Sequence, residues 1–156
     1  MRGVRRSIKY ETIVRSFCDN RDELSARSIF PTMREFMCFA AVLGFQYEKR
    51  VPFKPKEQTL EIDGRIFSGH PTTVDLFNLI ALVEEKSIEI LRDENENEVL
   101  IIFEEYANGG FEIIDSWLKR KPDDTIGYQA LISALKEEGF LANAIDSEQV
   151  LSEVPF

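Results

Sequence analysis

One run constrains the fold more than any other: Phe30-Pro31-Thr32-Met33-Arg34-Glu35 and the apolar residues that follow it. Thr32 stands where a helix N-cap belongs and Glu35 three residues on, so each can bond the other's free backbone N–H as a capping box. The following segment carries Met33, Phe36, Met37, Phe39, Ala40, Ala41, Val42 and Leu43, apolar on nearly every side, and Gly44 reads as its left-handed stop. A helix without a polar face belongs at the centre of a domain, so 33–43 is expected to be a hub that other segments wrap.

The flanking sequence supplies those segments. Residues 1–7 read as a basic tail, and Ile8, Tyr10, Ile13, Val14, Phe17 and Cys18 recur at helical spacing up to about residue 20. A polar connector follows, from Asp19 to Ser28. Beyond the central helix lies a proline-broken basic loop, 48–56. Asp63-Gly64 then suits a type I′ turn between two short strands. Pro71-Thr72-Thr73 opens another helix, and 87–91 is too brief to assign. Residues 93–98 read as a solvated acidic turn and 99–107 as a helix, which Asn108-Gly109-Gly110 interrupts. Two more helices, 111–121 and 124–138, complete the pattern, and the cationic trio Lys119-Arg120-Lys121 suits the C-terminal end of the first. The expectation is one mainly α domain, 1–156. It is a compact bundle of about five to six helices around the central helix, with one small β-hairpin (about 58–68) and a loosely packed C-terminal tail (140–156).

At 156 residues, 44% of them hydrophobic and 12 of them Phe, the chain has the mass for a real core, unlike a disordered one. Its longest uncharged apolar stretches, 36–47 and 76–83, fall short of the roughly 18–20 residues a membrane span needs. No apolar segment follows the N-terminal arginines as in a signal peptide. Cys18 and Cys38 read as reduced structural thiols, and a cytoplasmic location is expected.

The net charge of −9 is unevenly spread. Residues 1–56 hold 12 Lys/Arg against 6 Asp/Glu, whereas 57–156 hold 7 against 22. Such a split suits either solvated helices or two faces of opposite sign, and the acidic total disfavours non-specific nucleic-acid binding by the whole molecule.

Several constellations merit weighing. Arg5, Arg6, Lys49, Arg50 and Lys54, with Arg2, Lys9 and Lys56 near them, are candidate phosphate contacts, and Tyr47 and Phe53 interleave the second group as aromatics do on nucleic-acid faces. Arg34, early in its helix and badly placed for the dipole, calls for a carboxylate to hold it. Asp63 with Glu84-Glu85-Lys86 copies a nuclease layout in which two carboxylates hold a divalent metal and a lysine positions water. That chemistry needs the triplet on a strand, whereas here it ends a helical run. Asp93, Asn95, Asn97 and Glu104 imitate calcium-loop ligand positions, but Glu98 stands where the loop needs glycine, so an acidic turn is the preferred reading. Glu104, Glu105 and Asn108 read first as a helix corner beside two glycines, and secondly as polar contacts for a partner. His70 is the only histidine, a loop or cap residue; no His-rich metal site or CxxC pair exists, and nothing calls for a cofactor.

Two blocks carry a family likeness. The run Phe30-Pro31-Thr32-Met33-Arg34-Glu35-Phe36-Met37-Cys38-Phe39-Ala40-Ala41-Val42-Leu43-Gly44-Phe45, continuing to Lys49-Arg50-Val51-Pro52, resembles the bacterial Dnd system-associated protein 4 family. So does Ile102-Phe103-Glu104-Glu105-Tyr106-Ala107-Asn108-Gly109-Gly110. With 88–93 included, the likeness spans most of 8–135. The resemblance implies a protein encoded beside the machinery that replaces a non-bridging DNA phosphate oxygen with sulfur, or beside the restriction apparatus that reads the mark, in defence against foreign DNA. It implies context and no residue roles. Three functions follow. The first is a non-catalytic accessory protein whose acidic C-terminal two-thirds docks a basic, DNA-handling component of such a system. The second is a DNA-binding regulator using the basic N-terminal third, and the third a metal-dependent nuclease on Asp63, Glu84 and Lys86.

Overall fold

The computed structural model describes residues 1–19 and 28–141. The expected polar connector after Asp19 and most of the expected tail 140–156 therefore lie outside the described residues. The protein is mainly helical with one small two-stranded antiparallel β element. In chain order the elements are β1 (Val4–Ser7), α1 (Glu11–Cys18), α2 (Met33–Gln46), β2 (Thr59–Ile62), α3 (Gly64–Ser68), α4 (Pro71–Glu85), α5 (Glu96–Lys119) and α6 (Tyr128–Glu137). Short 3-10 turns cover Ile8–Tyr10, Ile88–Leu91 and Asp93–Asn95, the second resolving the segment whose sequence was too brief to assign. Contacts divide the chain into two compact units, Met1–Ser116 and Trp117–Phe156.

The N-cap forms as the sequence predicts, but Glu35 turns to the Thr32 hydroxyl and not to its backbone N–H. Thr32 Oγ1 accepts from Glu35 N at 3.2 Å and donates to Glu35 Oε2 at 3.1 Å, so the glutamate answers the hydroxyl. Helix α2 buries Phe36, Met37, Ala40, Ala41 and Leu43 and stands at the core. It shares that place with α5, where Ile102, Phe103, Tyr106, Ala107 and Phe111 are all buried. Aromatic rings fill the space between elements. Phe17, Phe30, Phe36 and Phe111 form one chain of ring contacts at 4.7–6.2 Å. Phe67, Phe77 and Phe103 form a second, the closest pair 4.0 Å apart between centroids.

Glycines set the approach of these helices. A Cβ on Gly110 would lie 1.8 Å from Ala40 O, one on Gly44 2.1 Å from Tyr106 O, and one on Gly109 1.8 Å from Lys49 O. This corrects two expectations. Gly44 is no stop, since α2 runs on to Gln46; Asn108-Gly109-Gly110 is no break, since α5 is continuous through it. Helix propensity disfavours glycine by only about 1 kcal/mol, and close backbone packing outweighs that here.

The β element also departs from its expected range. Thr59–Ile62 is a strand, but its partner is the N-terminal segment, with Val4 opposite Ile62 and Ser7 opposite Thr59. Asp63 does not lead a hairpin turn: its side chain accepts from Arg65 N at 2.9 Å and starts α3. Residues 4–7 of the expected basic tail are thus a strand, and Arg6 within it is only 5% exposed.

In the second unit, α6 starts at Tyr128, later than the sequence pattern suggests. Asp124 stays outside the helix and accepts from Gly127 N at 3.0 Å and Ala130 N at 2.8 Å, while Gly127 takes a left-handed φ of 89°.

Gly110→Ala is expected to lower stability by about 3 kcal/mol, the upper range for overpacking, because the obstacle is a backbone carbonyl. Urea unfolding of the two proteins measures this, and an unchanged midpoint would show that the helices have room to part.

Candidate functional site

Several of the polar residues singled out in the sequence meet on α5. Glu104 is 1% exposed, a carboxylate in the protein interior. Arg2 grips it with two nitrogens, at 2.5 and 3.0 Å. Arg5 adds its backbone N–H at 2.7 Å and two guanidinium bonds at 3.1 and 2.8 Å. The hydrogen bonds to Glu104 hold the Arg5 pKa above its ordinary value, against the opposing effect of burial. A charge taken from water needs such pairing, because the desolvation cost of a lone buried ion is several kcal/mol.

A second cluster is built on the next two residues of α5, Glu105 and Tyr106. Arg50 bridges Glu105 at 2.6 Å and Glu84 at 2.9 Å, and Tyr106 donates its phenolic proton to Glu84 at 2.5 Å. The Tyr106 bond and the Arg50 guanidinium lower the Glu84 pKa. Burial, followed by the bond to Glu84, pushes Tyr106 up to about 12. The loop that carries Arg50 hangs from α5: Val51 N donates to Glu105 O at 3.0 Å, and Asn108 Nδ2 donates to Val51 O at 3.0 Å.

The candidate phosphate contacts are therefore largely occupied. Arg5 serves Glu104, Arg6 is buried against Glu11, Lys49 pairs with Glu112 at 3.1 Å, and Arg50 holds its two glutamates. Lys54 is exposed, and its side chain has no ion pair among the described residues. Glu104 and Asn108, expected as contacts for a partner, are 1% and 4% exposed, and Glu105 is turned to Arg50. Arg34 finds the hydroxyl of Thr73 at 3.0 Å and the carboxylate of Glu35 at 3.6 Å.

The metal-site candidates are dispersed. Asp63 caps α3 and is chelated by Arg65, whose hydrogen bonds lower its pKa to about 2. Glu84 belongs to the Arg50 cluster, and Lys86 closes α4 in a left-handed conformation. Asp93 and Asn95 lie in a 3-10 turn, Asn97 accepts from Arg2 at 2.6 Å, and Glu104 is held between arginines. Among the described residues no three His, Cys, Asp or Glu side chains gather as a metal site, and no helix is long and apolar enough to cross a membrane. Both cysteines are free and half-buried, and burial pushes Cys18 up to about 11.

One outward stretch of the first unit, on and just after α4, is apolar. Leu79 and Val83, one turn apart on α4, are 58% and 48% exposed, and Ile88 beyond the helix is 73% exposed. Asp75, Glu85 and Glu89 are exposed near them in sequence, with Lys86 the one exposed cation between Val83 and Ile88. Single exposed apolar side chains are ordinary, but a ridge of them marks a surface that binds something. Sequence periodicity concealed this ridge, because an α4 with apolar residues on most sides reads simply as buried.

The family model described as DNA sulphur modification system-associated protein 4 matches residues 3–154. The chain belongs to that family. No curated protein and no solved structure matched the chain. Membership associates the protein with a DNA sulphur modification system, and both of the family-like blocks, around α2 and around 102–110, lie at the tight helix approach.

Replacing Glu104 with Gln is expected to cost about 2–3 kcal/mol, below the usual loss for a fully buried pair because both arginines reach solvent in part. Amide hydrogen exchange in β1 should rise with it; unchanged protection of Val4–Ser7 would mean that strand pairing alone holds the segment. The second cluster predicts a pH effect. Glu84 has a lowered folded pKa, so its contribution is complete above the ordinary value of 4.5 and is lost as pH falls through the folded value. Urea unfolding from pH 7 to pH 3 should show Glu84→Gln losing less stability on acidification than the parent protein.

Proposed function

We propose that this family member is a non-catalytic accessory protein of a bacterial DNA sulphur modification or restriction system, acting in the cytoplasm by docking a basic protein component of that system. The observation that carries the reading is the apolar ridge of Leu79, Val83 and Ile88, with acidic residues near it in sequence. An apolar centre with a charged rim is the usual anatomy of a protein interface. The imbalance of 22 Asp/Glu to 7 Lys/Arg over 57–156 favours a basic partner, because complementary charge speeds and selects the encounter.

The alternatives fit less well. A DNA-binding face from Arg5, Arg6, Lys49 and Arg50 requires side chains that already neutralise internal carboxylates. A nuclease on Asp63, Glu84 and Lys86 requires convergence, and those residues have separate local partners or roles.

Calorimetric titration against each purified component of the host's own DNA sulphur modification system tests the proposal. One component should bind, with affinity that weakens as salt rises. Leu79→Asp combined with Val83→Asp should weaken it at least about tenfold without lowering the melting temperature. Absence of binding to every component, or equal binding by the double variant, would overturn the reading.

A further inference from the structure

The ridge on α4 has a neighbour. Arg34, near the start of α2, bonds Thr73 of α4 at 3.0 Å, while Phe45 and Gln46 of α2 share the wall of one cavity with Val83 and Glu84 of α4. The spans 34–45 and 73–83 are nearly equal, so the two helices lie side by side and run the same way for about 15 Å, about three turns. Residues three and four apart share a helix face. Val42, one turn beyond Cys38, flanks the line of contact on its solvent side and is 47% exposed, whereas Ala41 beside it is buried. Leu76, Leu79 and Val83 flank the same line from α4, with Phe77 and Ala81 turned to the core. The ridge is therefore one wall of an apolar groove, and Val42 with half-buried Phe45 forms the other.

The far end of the groove is electronegative. It opens into the shared cavity, of about 600 Å3, whose wall also holds Glu48, Arg50, Lys86 and Tyr106. Arg50 already serves both Glu84 and Glu105, and neither Glu48 nor Lys86 has an ion pair among the described residues. Three carboxylates thus face two cations. Asp75, four residues before Leu79 and so on its face, adds a further exposed carboxylate along the groove.

The backbone points the same way. Helix α2 ends at Gln46 and α4 at Glu85, each closed by a left-handed residue nearby, Glu48 with φ 51° and Lys86 with φ 52°. Two helix C-termini therefore stand together at this end, and neither helix has a basic residue in its last turn. The negative ends of their dipoles favour a cation there.

We infer that the groove receives one amphipathic helix of a basic partner, its apolar stripe against Val42, Leu76, Leu79 and Val83 and a lysine or arginine of it beside Glu48. A helix is the element whose ridge of side chains fills such a groove. This inference rests on the docking role proposed for the α4 ridge and adds the second wall, the conformation of the partner segment and its polarity.

Three synthetic peptides of about 14 residues test it against the full chain. One carries leucine at helical spacing with lysine elsewhere, one has the same composition in strict alternation, and one replaces the lysines of the first with glutamate. Followed by amide NMR, the first should saturate below about 1 mM, at least about tenfold tighter than the other two. It should gain helical circular dichroism on binding, and shifts should centre on Val42, Phe45, Leu79 and Val83. Val42→Asp, which leaves the α4 ridge intact, should weaken binding about tenfold, and Glu48→Lys about fivefold; both positions are exposed, so the melting temperature should not change. Equal binding of the alternating or the acidic peptide, shifts that spare α2, or indifference to Val42→Asp would overturn the inference. A dimer of the protein alone that Val42→Asp dissociates in sedimentation would assign the groove to a second copy and overturn it too. A system component that binds the parent and the Val42→Asp variant equally would leave the docking proposal standing without the groove. If no component binds while the helical peptide seats in the groove, the docking proposal alone falls.

Discussion

One buried carboxylate organises the first unit. Glu104 lies at the centre of a helix that is otherwise apolar on its inward faces, and two arginines from the start of the chain neutralise it. Once the carboxylate is there, the N-terminal segment has nowhere else to go. Its backbone at Arg5 donates to the same oxygen that Arg2 grips, which aligns the segment as a strand and gives Thr59–Ile62 an edge to pair with. Two strands alone are marginal in water; these two are held from below by an ion cluster.

The close contact of α2 and α5 is the complementary constraint. Gly44, Gly109 and Gly110 let the carbonyls of Tyr106, Lys49 and Ala40 come to within the space a methyl group would fill. That closeness also fixes the loop after α2, since Val51 can reach Glu105 O only if Lys49 passes over Gly109. Arg50 and its glutamates hang on that one strut, so this cluster depends on a missing side chain at Gly109.

Local rules recovered what local forces decide. The Thr32–Glu35 cap, the helical run of α2 and the mainly α character were all legible, because capping and periodicity act within a few residues. The strand at Val4–Ser7 was not, since its cause sits at residue 104 and residue-level patterns carry no sign of it. Gly109 and Gly110 misled for a related reason: glycine's preference for turns is a local statistic, and tertiary packing overrode it. The charges were read correctly in number and wrongly in placement. A count of arginines says nothing of how many face inward, and Glu104 in an apolar segment was the one hint that cations elsewhere in the chain would be recruited. The exposed ridge on α4 escaped for the opposite reason, as apolar residues outnumber the core positions that α4 has to fill.

The separation of Arg2 and Arg5 from Glu104 has a consequence for how the protein comes to be made. About a hundred residues must leave the ribosome before that carboxylate exists to meet them. Until then Arg2 and Arg5 lack their partner, and closing so long a loop costs chain entropy that nearer contacts do not.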